Sequence, residues 1–197
     1  MKYEELNLGQ VKAIVNKLGG MDGVRRFLSG ETVVKAIEQS FAVRKTIKLG
    51  TGLKTADDFR KALKQSGCEI SNWGNDILGE PMFIVSKTET EIDLVSVSVA
   101  EIGFNDGATR KDIYERAISL GLELCPNEVG PQLRLQYKDQ PIDEWLLIAM
   151  EPISGSFGSL DVFRVGHNAD GFWLSGSSGD PGGFWHGGNR WVFARRK

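Results

Sequence analysis

Apolar and polar positions repeat along this chain with two different periods. The first is helical. Asn7 and Gln10 stand as the N-cap and N3 residues of a capping box, and Leu8, Val11, Ile14, Val15 and Leu18 follow on one face until Gly19-Gly20. Asp22 is placed to cap a second short helix with Val24, Phe27 and Leu28 inward and Gly30 closing it, so the two predict a helical hairpin. From Phe41 to Leu49 the period becomes two, with Phe41, Val43, Ile47 and Leu49 on one side and Arg44 and Lys48 on the other, which predicts a half-buried strand. Thr55 and Asp58 then open a helix that buries Ala56, Phe59, Ala62 and Leu63 before Gly67, and Ser71 caps a shorter one with Trp73, Ile77 and Leu78 inside.

Residues 82–104 carry both periods at once. Val95, Val97 and Val99 alternate with serines as in a strand, while Ile92, Val95, Val99 and Ile102 are spaced as on a helix face. The length of the segment and its Ala100-Glu-Ile-Gly103 ending favour a helix from about Glu89. Thr109 and Asp112 start the next helix, and Asn127 caps a last one through Tyr137, with Gly130 and Pro131 in its first turn, where proline is tolerated. Three helices followed by strands is the element order of a winged helix.

The strands come last. Trp145–Met150, Asp161–Val165, Gly171–Leu174 and Arg190–Ala194 are short, aromatic and β-branched, and ten of the twenty-four glycines fall between Gly155 and Gly188. The fold class read from the pattern is therefore α+β: residues 1–138 mainly helical with one or two short strands, packed on a small antiparallel sheet in residues 139–197. The polar, proline-bearing Lys138-Asp-Gln-Pro141 is the seam, whether the chain makes one domain or two.

Composition adds limits. With 41% hydrophobic and 25% charged residues the chain has the makeup of a globular protein. No apolar run approaches the roughly 20 residues that cross a bilayer, and Met1-Lys-Tyr-Glu-Glu5 has no signal-peptide character, so no membrane contact and a cytoplasmic location are expected. Cys68 and Cys125 lack any C-x-x-C spacing and read as buried reduced thiols. Residues 1–68 carry thirteen Lys/Arg against seven Asp/Glu, and residues 69–144 six against fifteen. Either the basic front meets an acidic partner or the two parts neutralise each other within one fold, and the dispersed spacing of the bases favours the second.

No catalytic or cofactor motif is present. Gly50-Thr-Gly52 lacks the spacing of a phosphate-binding loop. His167 and His186 have no acid or cysteine at ligand spacing, so neither a metal nor a cofactor is expected. A hydrolase would need Cys125 or one of Ser154, Ser156, Ser159, Ser175, Ser177 and Ser178 as nucleophile and His186 as base, and no spacing fixes that geometry. Trp145 and Trp191 suit a core, whereas Trp185 lies in the glycine-rich loop Asp180–Gly188, where an indole is open to a ligand unless the loop folds back. Trp173, Trp185, His186, Glu151 and Arg164 are the candidate ligand-binding residues, with Glu151 and Arg164 equally able to form a partly buried ion pair.

The segments Trp145–Ile153, Gly171–Leu174 and Trp191–Phe193, together with Val11–Leu28, resemble a group of uncharacterised bacterial proteins. The resemblance implies a bacterial, cytoplasmic protein and brings no activity with it. The expected function is a non-catalytic binding or interaction protein that engages a protein or small-ligand partner through the C-terminal sheet and its Trp185 loop. A nucleic-acid regulator built on the winged-helix-like middle is less favoured, since Ala108–Lys138 is nearly neutral and would engage few phosphates. A small hydrolase at the sheet face is the third reading.

Overall fold

A computed structural model describes residues 7–32, 41–156 and 158–196. The chain divides into two compact units, one ending at Glu38 and the other beginning at Gln39.

The first unit holds helices α1 (Leu8–Lys17) and α2 (Gly20–Leu28). The capping box forms: Gln10 N donates to Asn7 Oδ1 over 3.0 Å and Asn7 N to Gln10 Oε1 over 2.8 Å. Gly19 and Gly20 both take the left-handed backbone that their turn requires, so α2 starts at Gly20 and not after Asp22. Gly23 approaches the Leu18 carbonyl so closely that a Cβ there would lie 1.5 Å from its oxygen. Backbone, not side chains, meets at this junction, and Phe27 and Leu28, expected inside, are exposed.

The second unit contains β1 (Lys45–Leu49), α3 (Ala56–Gln65), β2 (Cys68–Ile70), α4 (Asn72–Gly79), β3 (Thr90–Ser98), β4 (Ala108–Thr109), α5 (Arg110–Ser119), β5 (Leu122–Glu123) and α6 (Val129–Gln136). It continues with β6 (Trp145–Ile148), β7 (Ile153–Ser154), β8 (Leu160–Asn168), β9 (Gly171–Ser178), β10 (Phe184–Trp185) and β11 (Arg190–Arg195). Nine of these strands form one sheet in the order β1-β3-β11-β6-β8-β9-β2, with β5 added to β11 and β7 to β8; β4 and β10 pair separately. The sheet curves into a half-barrel.

This corrects the expected architecture. The sheet is neither small nor purely antiparallel: β6 runs parallel to β11 and β2 to β9. Four of its strands, β1, β2, β3 and β5, come from the part of the chain read as mainly helical. The decisive error concerns residues 90–98, a strand and not a helix. β3 lies between β1 and β11, and Leu94, Val95 and Val97 are all buried. A strand covered on both faces loses its clean alternation and reads like a helical stripe. With that helix gone, the winged-helix order does not form.

Register assigns the faces, since residues paired across strands point the same way. Trp191, Leu147 and Arg164 form one such row, and Trp145 and Gly166 another on the same face. α5 covers part of this face, where Tyr114 meets Trp191 and Phe193 edge-on at 5.4 and 5.9 Å. The opposite face carries Phe163 and Leu174 and is covered by α4 and α6. Gly130 of α6 sits on the Phe163 ring and Gly74 of α4 on the Leu174 carbonyl, at distances that leave no room for a Cβ.

The charge asymmetry is resolved partly within this unit: Arg44–Glu144, Lys45–Asp139 and Lys48–Glu89 join bases of the front to acids of the middle. Helix α3 is capped as expected, Asp58 accepting from the Lys54 and Thr55 backbone N–H groups, and hydrogen bonding holds its carboxyl below the usual range. Because the folded pKa is depressed, its contribution is present above about pH 4 and lost as pH falls through the folded value. We expect Asp58→Asn to lower the melting temperature at pH 7 and the gap to wild type to narrow steadily as pH falls below about 4. A gap that stays the same size from pH 7 down to the acid limit of folding would show that the charge is not what matters.

Candidate ligand-binding cleft

The cleft lies on the α5 side of the sheet, beyond that helix, and is built from a glycine outward. Trp145 on β6 pairs with Gly166 on β8. A Cβ at Gly166 would fall 2.2 Å from the Trp145 ring, so the indole rests on bare backbone. Two residues earlier on β8, Arg164 places its guanidinium over the same ring, 4.1 Å from the centroid. Gly166, Trp145 and Arg164 thus form a layered platform. Gly166→Ala should displace the indole, costing about 1–3 kcal/mol in chemical denaturation and changing tryptophan emission; unchanged stability and emission would contradict the layering.

Trp185 supplies the facing wall. Its loop is fastened at both flanks: Arg110 N donates to Gly183 O, Lys111 N to Pro181 O, Ala100 N to Gly187 O and Val99 N to Asn189 O, at 2.9–3.1 Å. Trp185 itself pairs with Ala108 through β10 and β4. The ring is half-buried, edge-on to Trp191 at 5.2 Å, and its indole N–H is buried with no acceptor among the described residues. The segment read from sequence as a glycine-rich loop is a strap held by backbone hydrogen bonds.

Between platform and strap lies a cleft of about 340 Å³, within the range of small-molecule sites, lined by Trp145, Leu147, Arg164 and Trp185, with Asp143, Glu144 and Gly188–Arg190 completing it. Asp143 takes a left-handed backbone, φ 63°, and its N–H donates to His167 O over 2.7 Å. Alternation turns the Glu144 side chain to the other face, where it pairs with Arg44. Arg190 is engaged by Ser96 and Glu101. Arg164 differs from both arginines: among the described residues it has no hydrogen bond and no ion pair, and burial pushes its pKa down with no acid to offset it.

The structure brings Arg164 and Trp185 into one cleft and leaves the other three candidates outside its lining. Trp173, half-buried on β9, donates its indole N–H to Asn168 Oδ1 over 3.0 Å. His186 is exposed, its ring edge-on to Phe184 at 5.6 Å. Glu151 is exposed beyond β6, and burial alone, with no acid, acts on Arg164. Trp145, read as core, is the residue that sequence reasoning missed. The signal for it was Gly166, a glycine inside a strand pattern, which marks close approach. Trp73, placed inside from sequence, is 62% exposed.

Other motifs have local explanations. Gly50 N donates to Glu128 Oε1 over 2.8 Å, so a resident carboxylate occupies the glycine turn that resembled a phosphate cradle. His167 stacks on Phe172 at 4.1 Å and bonds the Gln140 carbonyl through Nδ1. Cys125 is buried, with its thiol pKa pushed up and its Sγ–H directed at Val192 O. Ser156 Oγ bonds Asp76, and Ser159 Oγ bonds Asp161. No helix among the described residues is long and apolar enough to cross a membrane. No family model, curated protein or solved structure matches the chain.

Proposed function

We propose that the protein is a non-catalytic binding protein whose ligand occupies the cleft between the Trp145 platform and the Trp185 strap. The observation that carries this reading is the arrangement of two indoles and a leucine around an open volume next to an arginine without a counter-ion. With charged and amide side chains in the same lining, the cleft suits a small ligand that has a flat apolar face and a polar end. The fastened strap presents Trp185 in a fixed position, which lowers the ordering cost of binding. Nothing in the lining places a nucleophile beside a base, so recognition rather than turnover is what the cleft supports.

A thermal-shift screen of small metabolites tests the reading. A ligand at about 100 times its dissociation constant stabilises the fold by about 2.7 kcal/mol, which moves the melting temperature by several degrees. We expect such a ligand to be found, and Trp185→Leu to remove its shift while leaving the unliganded protein folded. Shifts that persist undiminished in Trp185→Leu would place the site elsewhere, and a screen without any shift would count against a small-molecule site.

A further inference from the structure

The unpaired arginine narrows the ligand chemistry. We infer that the cleft takes a monocarboxylate carried on a flat apolar body, an aryl carboxylate in chemical class; this rests on the cleft being the ligand site. Three observations lead there. The guanidinium carbon of Arg164 stands over the Trp145 ring, 4.1 Å from its centroid, which anchors the group at the cleft. Its N–H groups have no carboxylate, carbonyl or hydroxyl partner among the described residues, although the side chain is half-buried. A planar fork held in this way matches the two oxygens of a carboxylate in a bidentate pair.

The rest of the lining selects the body and the charge. Trp185 is the half-buried indole of the lining and Leu147, itself buried, lies beneath, so the group attached to the carboxylate is a flat one that can lie against an indole. A cationic ligand is disfavoured because the Trp145 ring, the natural seat for a cation, already holds Arg164. A phosphate dianion is disfavoured because Arg164 is the one lining cation without an ion pair among the described residues, and the exposed Asp143 carboxylate repels a dianion more than a monoanion.

Isothermal titration with four probes decides the matter: benzoate, its neutral isostere benzamide, phenyl phosphate and inorganic phosphate. We expect wild-type protein to bind benzoate about tenfold or more tightly than benzamide, as the loss of a charged bidentate contact implies, and to prefer benzoate to both phosphates. Arg164→Gln should weaken benzoate by a similar factor and benzamide by much less, and Arg164→Lys should retain part of the affinity. The comparison of benzoate with benzamide uses wild type alone, so it stands even where a variant does not fold. Equal binding of the two, or preference for a phosphate, overturns the carboxylate assignment. If benzamide or phenyl phosphate binds and Trp185→Leu abolishes it, the cleft remains the ligand site and only the ligand class is wrong. If no probe binds and the metabolite screen also finds nothing, both fall.

Discussion

Replacing Arg134 with alanine should remove about 4 kcal/mol of stability, a large share of the roughly 5–15 kcal/mol that holds a domain of this size together. Arg134 is fully buried on α6 and has no carboxylate partner among the described residues. Its guanidinium is held by Gln140 Oε1, by the carbonyls of Gly166 and Tyr137, and by the Phe172 ring 4.4 Å from its centre. Truncation takes a donor away from three buried acceptors and adds a cavity. Burial disfavours the charge and pushes the guanidinium pKa down, so part of the cost of keeping an arginine here is recovered when it is removed. Arg134→Met, which refills the volume, should therefore lose less than Arg134→Ala. Urea denaturation with an unchanged slope reads both; a loss under about 1 kcal/mol for the alanine variant would show that these bonds are not what joins α6 to β8.

Glu128→Ala should cost about 3 kcal/mol by a different route. The carboxylate is fully buried and accepts from three groups: Gly50 N and Ser86 N at 2.8 Å and Gln132 Nε2 at 3.0 Å. Two loops distant in sequence are thereby fastened to the start of α6 by their backbone donors. Alanine leaves both amides buried or forces the loops outward toward water. Native-state hydrogen exchange separates this from a general loss of stability. The Gly50 and Ser86 amides should lose protection in the variant by far more than amides in the centre of β8. Equal loss at all sites would mean that the loops do not open independently. Glu128→Gln keeps one acceptor oxygen and should fall between wild type and alanine.

What was legible in the sequence was whatever a few neighbouring residues decide. The capping boxes at Asn7 and Thr55 and the cap at Thr109 formed as read, because a side chain and a backbone N–H three residues apart need no help from the rest of the fold. β1 and the four C-terminal strands were legible for the same reason, each alternating or β-branched within its own span. β3 was not, since its burial on both faces comes from β1 and β11, which are distant in sequence. The parallel pairing of β6 with β11 leaves no local trace either, because the intervening chain returns through β8, β9 and the Trp185 strap. At the cleft, Arg164 and Trp185 stood out as a lone base in an apolar strand and an indole among glycines. Trp145 did not, because its role depends on Gly166 lying directly opposite, a relation that register creates and composition does not show.

The measurement closest to the central claim is the set of indole N–H cross-peaks of the five tryptophans in a ¹⁵N-labelled sample, followed as benzoate is added. Ligand in the cleft moves the signals of Trp145 and Trp185, assigned by Trp145→Phe and Trp185→Phe, and leaves exposed Trp73 and the Asn168-bonded Trp173 in place. Movement of Trp73 or Trp173 with Trp145 and Trp185 unchanged would contradict the account and put the binding surface on another part of the sheet.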